Sequence, residues 1–264
     1  MFLDAELHLA YKIANTPILN FPFPHMYVEN IFPDDFYSKI QENLLEQKEM
    51  TSLADNDTDN YGLAGYKERF IVDLAKEEAM SKVQKEKQKF LSELGEIFTK
   101  GTFSKLIRAK FKQFLDMRFQ YLENVTFHDD IKLVNDKINY GLGPHTDKPT
   151  KVISILFYLP KDSSQEKTGT SLYLPKDPNL LDKKLPHTHY PHEHFHKVIT
   201  MPFVPNSAFC FIKTNNSFHG VEKLAMKDTD RWTLQYNLYV NDETLQREII
   251  AKNKHHKENN PKSS

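Results

Sequence analysis

The segment Tyr140-Gly-Leu-Gly-Pro-His-Thr-Asp-Lys-Pro149 sets an imidazole and a carboxylate at i and i+2, His145 and Asp147. In extended backbone such side chains leave the same face, so a ring nitrogen and a carboxylate oxygen can converge on one ion. Two ligands do not make a centre. Two histidines and one carboxylate on one side of a ferrous ion, with the opposite positions open, form the arrangement that activates dioxygen. His219 is the best candidate for the missing ligand. It sits in Ser217-Phe-His-Gly-Val221, after the strand-like Ala208 to Ile212 and a turn at Asn215-Asn216. Arg231 and Thr233 follow on one side of the last predicted strand, where a guanidinium suits two-pronged capture of a carboxylate near the metal. The competing reading pairs Arg231 with a surface acid, Asp228 or Asp230.

Two other constellations compete for the chemistry. His128-Asp-Asp130 repeats the spacing of His145 and Asp147 but has no glycine turn leading into it, and reads as a solvent loop. His192-Glu-His-Phe-His196 matches the zinc-peptidase pattern, which needs a helix to bring imidazoles at i and i+4 to one face with the glutamate as base. The following Lys197-Val-Ile-Thr-Met-Pro202 is β-branched and proline-terminated, so that helix would be too short. His187, His189, His192, His194 and His196 then form a polar surface insert able to take up nickel or zinc adventitiously.

The elements that must position these residues fall into two regions. A helix is expected from Ala5 to Ala14, extended backbone around Pro17, Pro22 and Pro24, then a strand and a helix starting at Pro33-Asp34 with Phe36, Ile40 and Leu44 inward. Residues 51–66 read as a mobile loop. From Lys76 to Leu122 the apolar spacing is helical, broken at Gly101, and Lys105, Arg108, Lys110 and Lys112 form a solvated face. After Asn124 come eight short β-rich runs: Ile131–Val134, Ile138–Leu142, Val152–Leu159, Ser171–Leu174, Lys197–Met201, Ser207–Ile212, Phe218–Val221 and Trp232–Val240. With little helix between them they predict an antiparallel jelly roll. Residues 1–123 are thus expected to support a β core at 124–246, and 247–264 to form a disordered tail. The uniformly apolar row Ile153, Ile155, Phe157, Leu159 should pack on the N-terminal helices, leaving Ser154 and Tyr158 to point into the interior. The stretch from Lys161 to Met201 reads as a mobile lid.

Composition narrows the partners. In 264 residues, 35 basic and 36 acidic side chains leave a formal charge of −1, so nothing draws the chain to nucleic acid or to an anionic membrane. No apolar run reaches membrane-spanning length, and the single cysteine, Cys210, sits in an apolar strand. A cytoplasmic protein acting on a small molecule or peptide is expected, and the oligomeric state stays open.

On the residues above, the chain resembles the iron(II)- and 2-oxoglutarate-dependent oxygenases, in particular their prolyl-4-hydroxylase-like branch. His145-Thr-Asp147 looks like that family's HxD motif, His219 like its distal histidine, and Arg231-x-Thr233 like its clamp on the cosubstrate carboxylate. Phe157-Tyr158-Leu159-Pro160 is similar to the segment whose tyrosine also reaches the cosubstrate, and Phe23 to Asp34 to the family's usual opening. The resemblance spans about residues 22 to 242. It implies a double-stranded β-helix core of α+β class with N-terminal supporting helices. It also implies Fe(II), 2-oxoglutarate and O2 as metal, cosubstrate and oxidant, ascorbate as a stimulant, and hydroxylation of an unactivated C–H bond with release of succinate and CO2. Tyr140 either lines the cosubstrate pocket or is a structural aromatic beside a turn. Where many relatives have a Gly-Gly pair this chain has Gly169-Thr170, which bears on the substrate. A non-catalytic jelly-roll ligand-binding module is the alternative, and a zinc peptidase through His192, Glu193 and His196 the third.

Overall fold

A computed structural model describes residues 1–56, 66–180, 189–227 and 229–259. Every strand pairing in it is antiparallel. The strands are β1 (His25–Glu29), β2 (Thr51–Ser52), β3 (Arg69–Asp73), β4 (Phe127–Lys137), β5 (Leu142–His145), β6 (Lys151–Tyr158), β7 (Ser171–Pro175), β8 (Phe195–Thr200), β9 (Ser207–Ile212), β10 (His219–Val221) and β11 (Asp230–Val240). They form a seven-stranded sheet in the order β1-β9-β6-β11-β4-β3-β2 and a four-stranded sheet in the order β5-β10-β7-β8. From β4 onward the chain crosses from the large sheet to the small one and back, which is jelly-roll winding and gives the expected double-stranded β-helix.

Helices cover the outside of the large sheet. Helix α1 (Phe2–Asn15) buries Ala5, Leu9 and Ile13, one stripe at four-residue spacing, and α2 (Asp34–Glu42) buries Phe36, Tyr37 and Ile40. After the short α3 (Leu53–Asn56) and α4 (Glu77–Met80) come α5 (Lys85–Thr99), α6 (Phe103–Lys110) and α7 (Lys112–Phe119). Leu94, Phe98, Phe103 and Ile107 join one apolar cluster with Ile153, Ile155 and Phe157 of β6 and Leu234, Tyr236 and Leu238 of β11. The even and odd rows of these two strands therefore divide as the alternation predicts. Each fully buried side chain of this kind contributes roughly 1.5–3 kcal/mol of transfer free energy. Cys210 lies in the same cluster, and burial pushes its thiol well up. Among the described residues no helix is long and apolar enough to cross a membrane.

Several expectations are corrected. Residues 51–56 are not loop but β2 and α3, while 57–65 lie outside the described residues. Arg69–Asp73, for which no element is expected, is β3, paired with β4 on one side and β2 on the other. Of the run expected over Ile138–Leu142 only Leu142 is strand, the first residue of β5; Asn139 adopts φ 70 in the turn between β4 and β5. His128-Asp-Asp130 lies within β4 rather than in a solvent loop. The lid expected over 161–201 is in part sheet, since β7 and β8 pair with each other and β7 with β10; residues 181–188 lie outside the described residues. The tail expected from 247 is helical to Asn259, as α8 (Asp242–Asn259), anchored by the half-buried Arg118, which donates to the buried carboxylate of Glu248 at 3.2–3.3 Å.

Candidate metal centre

His145 closes β5 and His219 opens β10, and the two are register partners. A Cβ on Gly220 would lie 2.3 Å from the Leu142 carbonyl oxygen, so the glycine after His219 is what lets the two strands approach. Asp147 lies in the turn beyond β5, not on the strand, yet it still converges with the histidines. One ligand atom from each of His145, Asp147 and His219 lies within 4.8 Å of the others, the only such group of three among the described residues.

The protonation and orientation suit a metal. His145 Nδ1 is bonded to the Gly143 carbonyl and His219 Nδ1 to the Ser217 carbonyl, both at 2.9 Å. A carbonyl only accepts, so each Nδ1 carries the proton and each Nε2 is left as a lone-pair donor. Burial, and then His219 beside it, holds the His145 pKa down to about 3, and burial also lowers that of His219. Burial alone would raise the Asp147 pKa, but the Lys151 ammonium and the two imidazoles outweigh it and hold the carboxyl below its usual range. Lys151 Nζ donates to Asp147 Oδ1 at 2.9 Å and Ser154 Oγ to Oδ2 at 3.0 Å. Oδ2 is the oxygen nearer His219 Nε2, at 3.9 Å. The set is thus two neutral imidazoles and one ionised carboxylate with its oxygens held in place.

A cavity of about 300 Å³ touches His145 and Asp147 and is lined as well by Arg69, Lys132, Lys148 and Lys151. A larger depression of about 620 Å³ along α6 and α7 contains none of the triad. Of the charged side chains lining the first, four are cations and one, Asp147, is an anion, and Arg69, Lys132 and Lys151 are each paired with a carboxylate, of Asp136, Asp130 and Asp147. His189, expected in a surface insert, instead lines this cavity as well, its ring 5.3 Å from that of His145.

Arg231 is 1% exposed. Its Nε donates to the Thr168 carbonyl and its Nη1 to Asp136 Oδ2, each at 2.7 Å, while Nη2 is buried without a hydrogen-bond partner among the described residues. The guanidinium carbon stands 4.9 Å from the ring centre of Phe203 and 5.9 Å from that of Tyr158. A charged donor left unpaired in such surroundings is costly, and a hydrogen-bond acceptor would satisfy it. Asp230, one of the surface partners considered for Arg231, instead binds Lys137, Asn135 and Trp232. Asp228 lies outside the described residues. Thr233 is fully buried and accepts from Gln235 Nε2 at 3.0 Å. The Tyr158 hydroxyl donates to Thr170 Oγ1 at 2.9 Å and accepts from Thr170 N at 3.1 Å. Tyr140 is buried, with the Arg69 guanidinium 4.3 Å above its ring.

The rival constellations do not assemble. His192–His194 is a single 3-10 turn and β8 begins at Phe195, so His192 and His196 do not share a helical face, which removes the peptidase geometry. His128 stacks on Tyr239, Asp129 accepts from Tyr236, and Asp130 pairs with Lys132.

No protein-family model matches the chain, and no curated protein matches it. Solved structures similar to it include the non-heme alpha ketoglutarate dependent epimerase SnoN from nogalamycin biosynthesis, at 12% identity and TM-score 0.49 over 89% of this chain and 80% of that one. A Pseudomonas putida prolyl-4-hydroxylase is similar at 12% identity and TM-score 0.44, over 88% and 99%. A Trichoplax adhaerens prolyl hydroxylase in complex with a hypoxia inducible factor peptide fragment is similar at 14% identity and TM-score 0.45, over 92% and 91%.

Proposed function

We propose that the protein is a cytoplasmic iron(II)- and 2-oxoglutarate-dependent dioxygenase that hydroxylates an unactivated C–H bond of a small molecule or peptide, releasing succinate and CO2. The observation that carries this reading is the convergence of His145, Asp147 and His219, with both Nε2 atoms free to ligate and the carboxylate ionised. That donor set matches a ferrous ion with open positions opposite. When bound, the metal and its oxoacid cosubstrate supply the activation of dioxygen.

The chain's own residues position and exclude. Gly143 and Ser217 carbonyls fix the two imidazoles, and Lys151 and Ser154 fix Asp147. Arg231 Nη2 is the seat for the distal acid of the cosubstrate, with Thr233 and Tyr158 on neighbouring positions of β11 and β6 and Tyr140 behind Arg69. Phe203 and Tyr158 wall the guanidinium and keep water from it. The test is conversion of 2-oxoglutarate to succinate with Fe(II) and O2, first alone and then across peptide, amino-acid, sugar and lipid substrates. Slow basal turnover that a substrate accelerates is the expected result. No turnover with any panel, together with a triad that takes up no metal, would leave a non-catalytic jelly-roll ligand-binding module instead.

A further inference from the structure

Asp147, the carboxylate of the triad, is carried by the turn between β5 and β6 and not by a strand, so its aim depends on how that turn is held. Arg118 of α7 grips the turn's far end. Its Nη2 donates to the Pro149 carbonyl at 2.6 Å and its Nη1 to the Lys151 carbonyl at 2.9 Å, the two carbonyls that flank Thr150. The adjacent edge of the same guanidinium, Nε with Nη2, meets both oxygens of Glu248 on α8 at 3.2–3.3 Å. Glu248 is buried, and Lys252 one helical turn on also donates to it, at 2.5 Å. A planar fork has fixed angles between its donors, so a carboxylate seated on one edge sets the direction of the other. Lys151, whose carbonyl is gripped in this way, is the residue whose ammonium donates to Asp147 Oδ1 at 2.9 Å.

Resting on the reading that the triad holds the metal, we infer that Arg118 is a positioning residue for Asp147 and that Glu248 orients it, which makes the C-terminal helix α8 part of the metal centre's support. The path has three short steps. Glu248 sets Arg118, Arg118 sets the carbonyls of Pro149 and Lys151, and Lys151 sets one oxygen of Asp147. A turn braced in its ligating shape loses little freedom when the ion binds, whereas a loosened one must first be ordered, which lowers affinity. An Arg118 that merely pinned α8 to the core would act differently, changing stability without changing metal affinity.

The experiment measures Mn(II) affinity of the full chain, from the paramagnetic resonance of the free ion, and the melting temperature of the same samples. Arg118→Lys keeps a charge opposite Glu248 but cannot span both carbonyls, and should weaken Mn(II) by about three- to tenfold, less than the roughly 10–100-fold contributed by direct partners of ligating groups. Glu248→Gln should weaken it in the same direction. Ile13→Val, a small cavity in the buried stripe of α1, should lower the melting temperature and leave Mn(II) affinity within about twofold. With Lys151→Met already in place, Arg118→Lys should weaken Mn(II) little further, because residues acting in series are not additive. Coupling is reciprocal, so Mn(II) should also slow amide hydrogen exchange in α8 of the unaltered protein.

An Arg118→Lys protein that melts lower yet binds Mn(II) as wild type would overturn this inference and leave the proposed function standing. Fully additive losses in the double variant would overturn the path through Lys151. If Arg118→Lys does not fold, the exchange measurement decides, and α8 exchange that Mn(II) leaves unchanged would defeat the inference. Wild-type protein that takes up no Mn(II) would overturn this reading and the proposed function together.

Discussion

His145 and His219 face one another across the β5–β10 pairing, ring centres 4.4 Å apart, each with its Nδ1 bonded to the carbonyl two residues earlier in the chain. The same local device is used twice, so each ring is aimed by its own backbone and not by a distant partner. His145→Ala, Asp147→Ala and His219→Ala should each abolish metal binding and turnover while the far-ultraviolet spectrum is kept. Metal content and succinate release check this. His128→Ala and His192→Ala should leave both near wild type, and tight iron binding by His219→Ala would defeat the assignment.

Ser154 holds the Asp147 oxygen that faces His219. Ser154→Ala removes that restraint without touching a ligand, and outer partners of ligating groups typically contribute about 10–100-fold to metal affinity. A metal titration of this variant should show a loss in that range. An affinity unchanged within twofold would mean Lys151 alone fixes the carboxylate.

Gly220→Ala is a geometric test. The added methyl would meet the Leu142 carbonyl at 2.3 Å, and the neighbour is backbone, so β5 and β10 must separate. We expect a stability loss of about 1–3 kcal/mol, the usual cost of overpacking, together with weakened metal binding. Chemical denaturation and metal titration on the same sample should show both, and a stable variant with normal metal affinity would contradict the close approach.

Arg231→Ala leaves a desolvated acid unpaired when the cosubstrate binds, which costs roughly 2–5 kcal/mol. At about 1.4 kcal/mol per decade the 2-oxoglutarate affinity should fall by roughly thirty- to several-thousand-fold. Lysine should recover part of it, having the charge without the fork. Metal affinity without cosubstrate should barely move. A shift below about fivefold would place Arg231 outside the cosubstrate's reach.

Tyr37 ties α2 to the end of β6 by donating to the Pro160 carbonyl at 2.6 Å, and burial pushes its pKa up to about 12. The phenol is neutral in the fold and titrates near 10 in the unfolded chain. Its contribution is therefore complete below pH 10 and falls as pH rises from 10 towards 12. Alkaline unfolding followed against pH should be shallower across that window in Tyr37→Phe.

The candidate triad His145, Asp147 and His219 and the inward rows of β6 and β11 were legible in the sequence because period-two alternation and turn residues are local signals. What was not legible depends on register. Nothing near Arg69 says that β3 pairs with β4, and Asp136 becomes the partner of two arginines only once three strands are aligned. Lys151 gave a faint sign, a cation four residues after Asp147, but a turn rather than a helix brings them together. Helix α8 was missed because its stripe is weak and its anchor, Arg118, comes from α7.

The candidate site is shared between the sheets. His145 and His219 stand on the small sheet, whereas Arg69, Asp136 and Arg231 stand on the large one. On the proposed function, a cosubstrate held at one end through the first pair and at the other by Arg231 would act as a tie rod through the sandwich. Ligation should then brace the barrel as a whole, raising its melting temperature with ligand concentration, and an oxoacid too short to span the gap should leave the two walls as free to part as before.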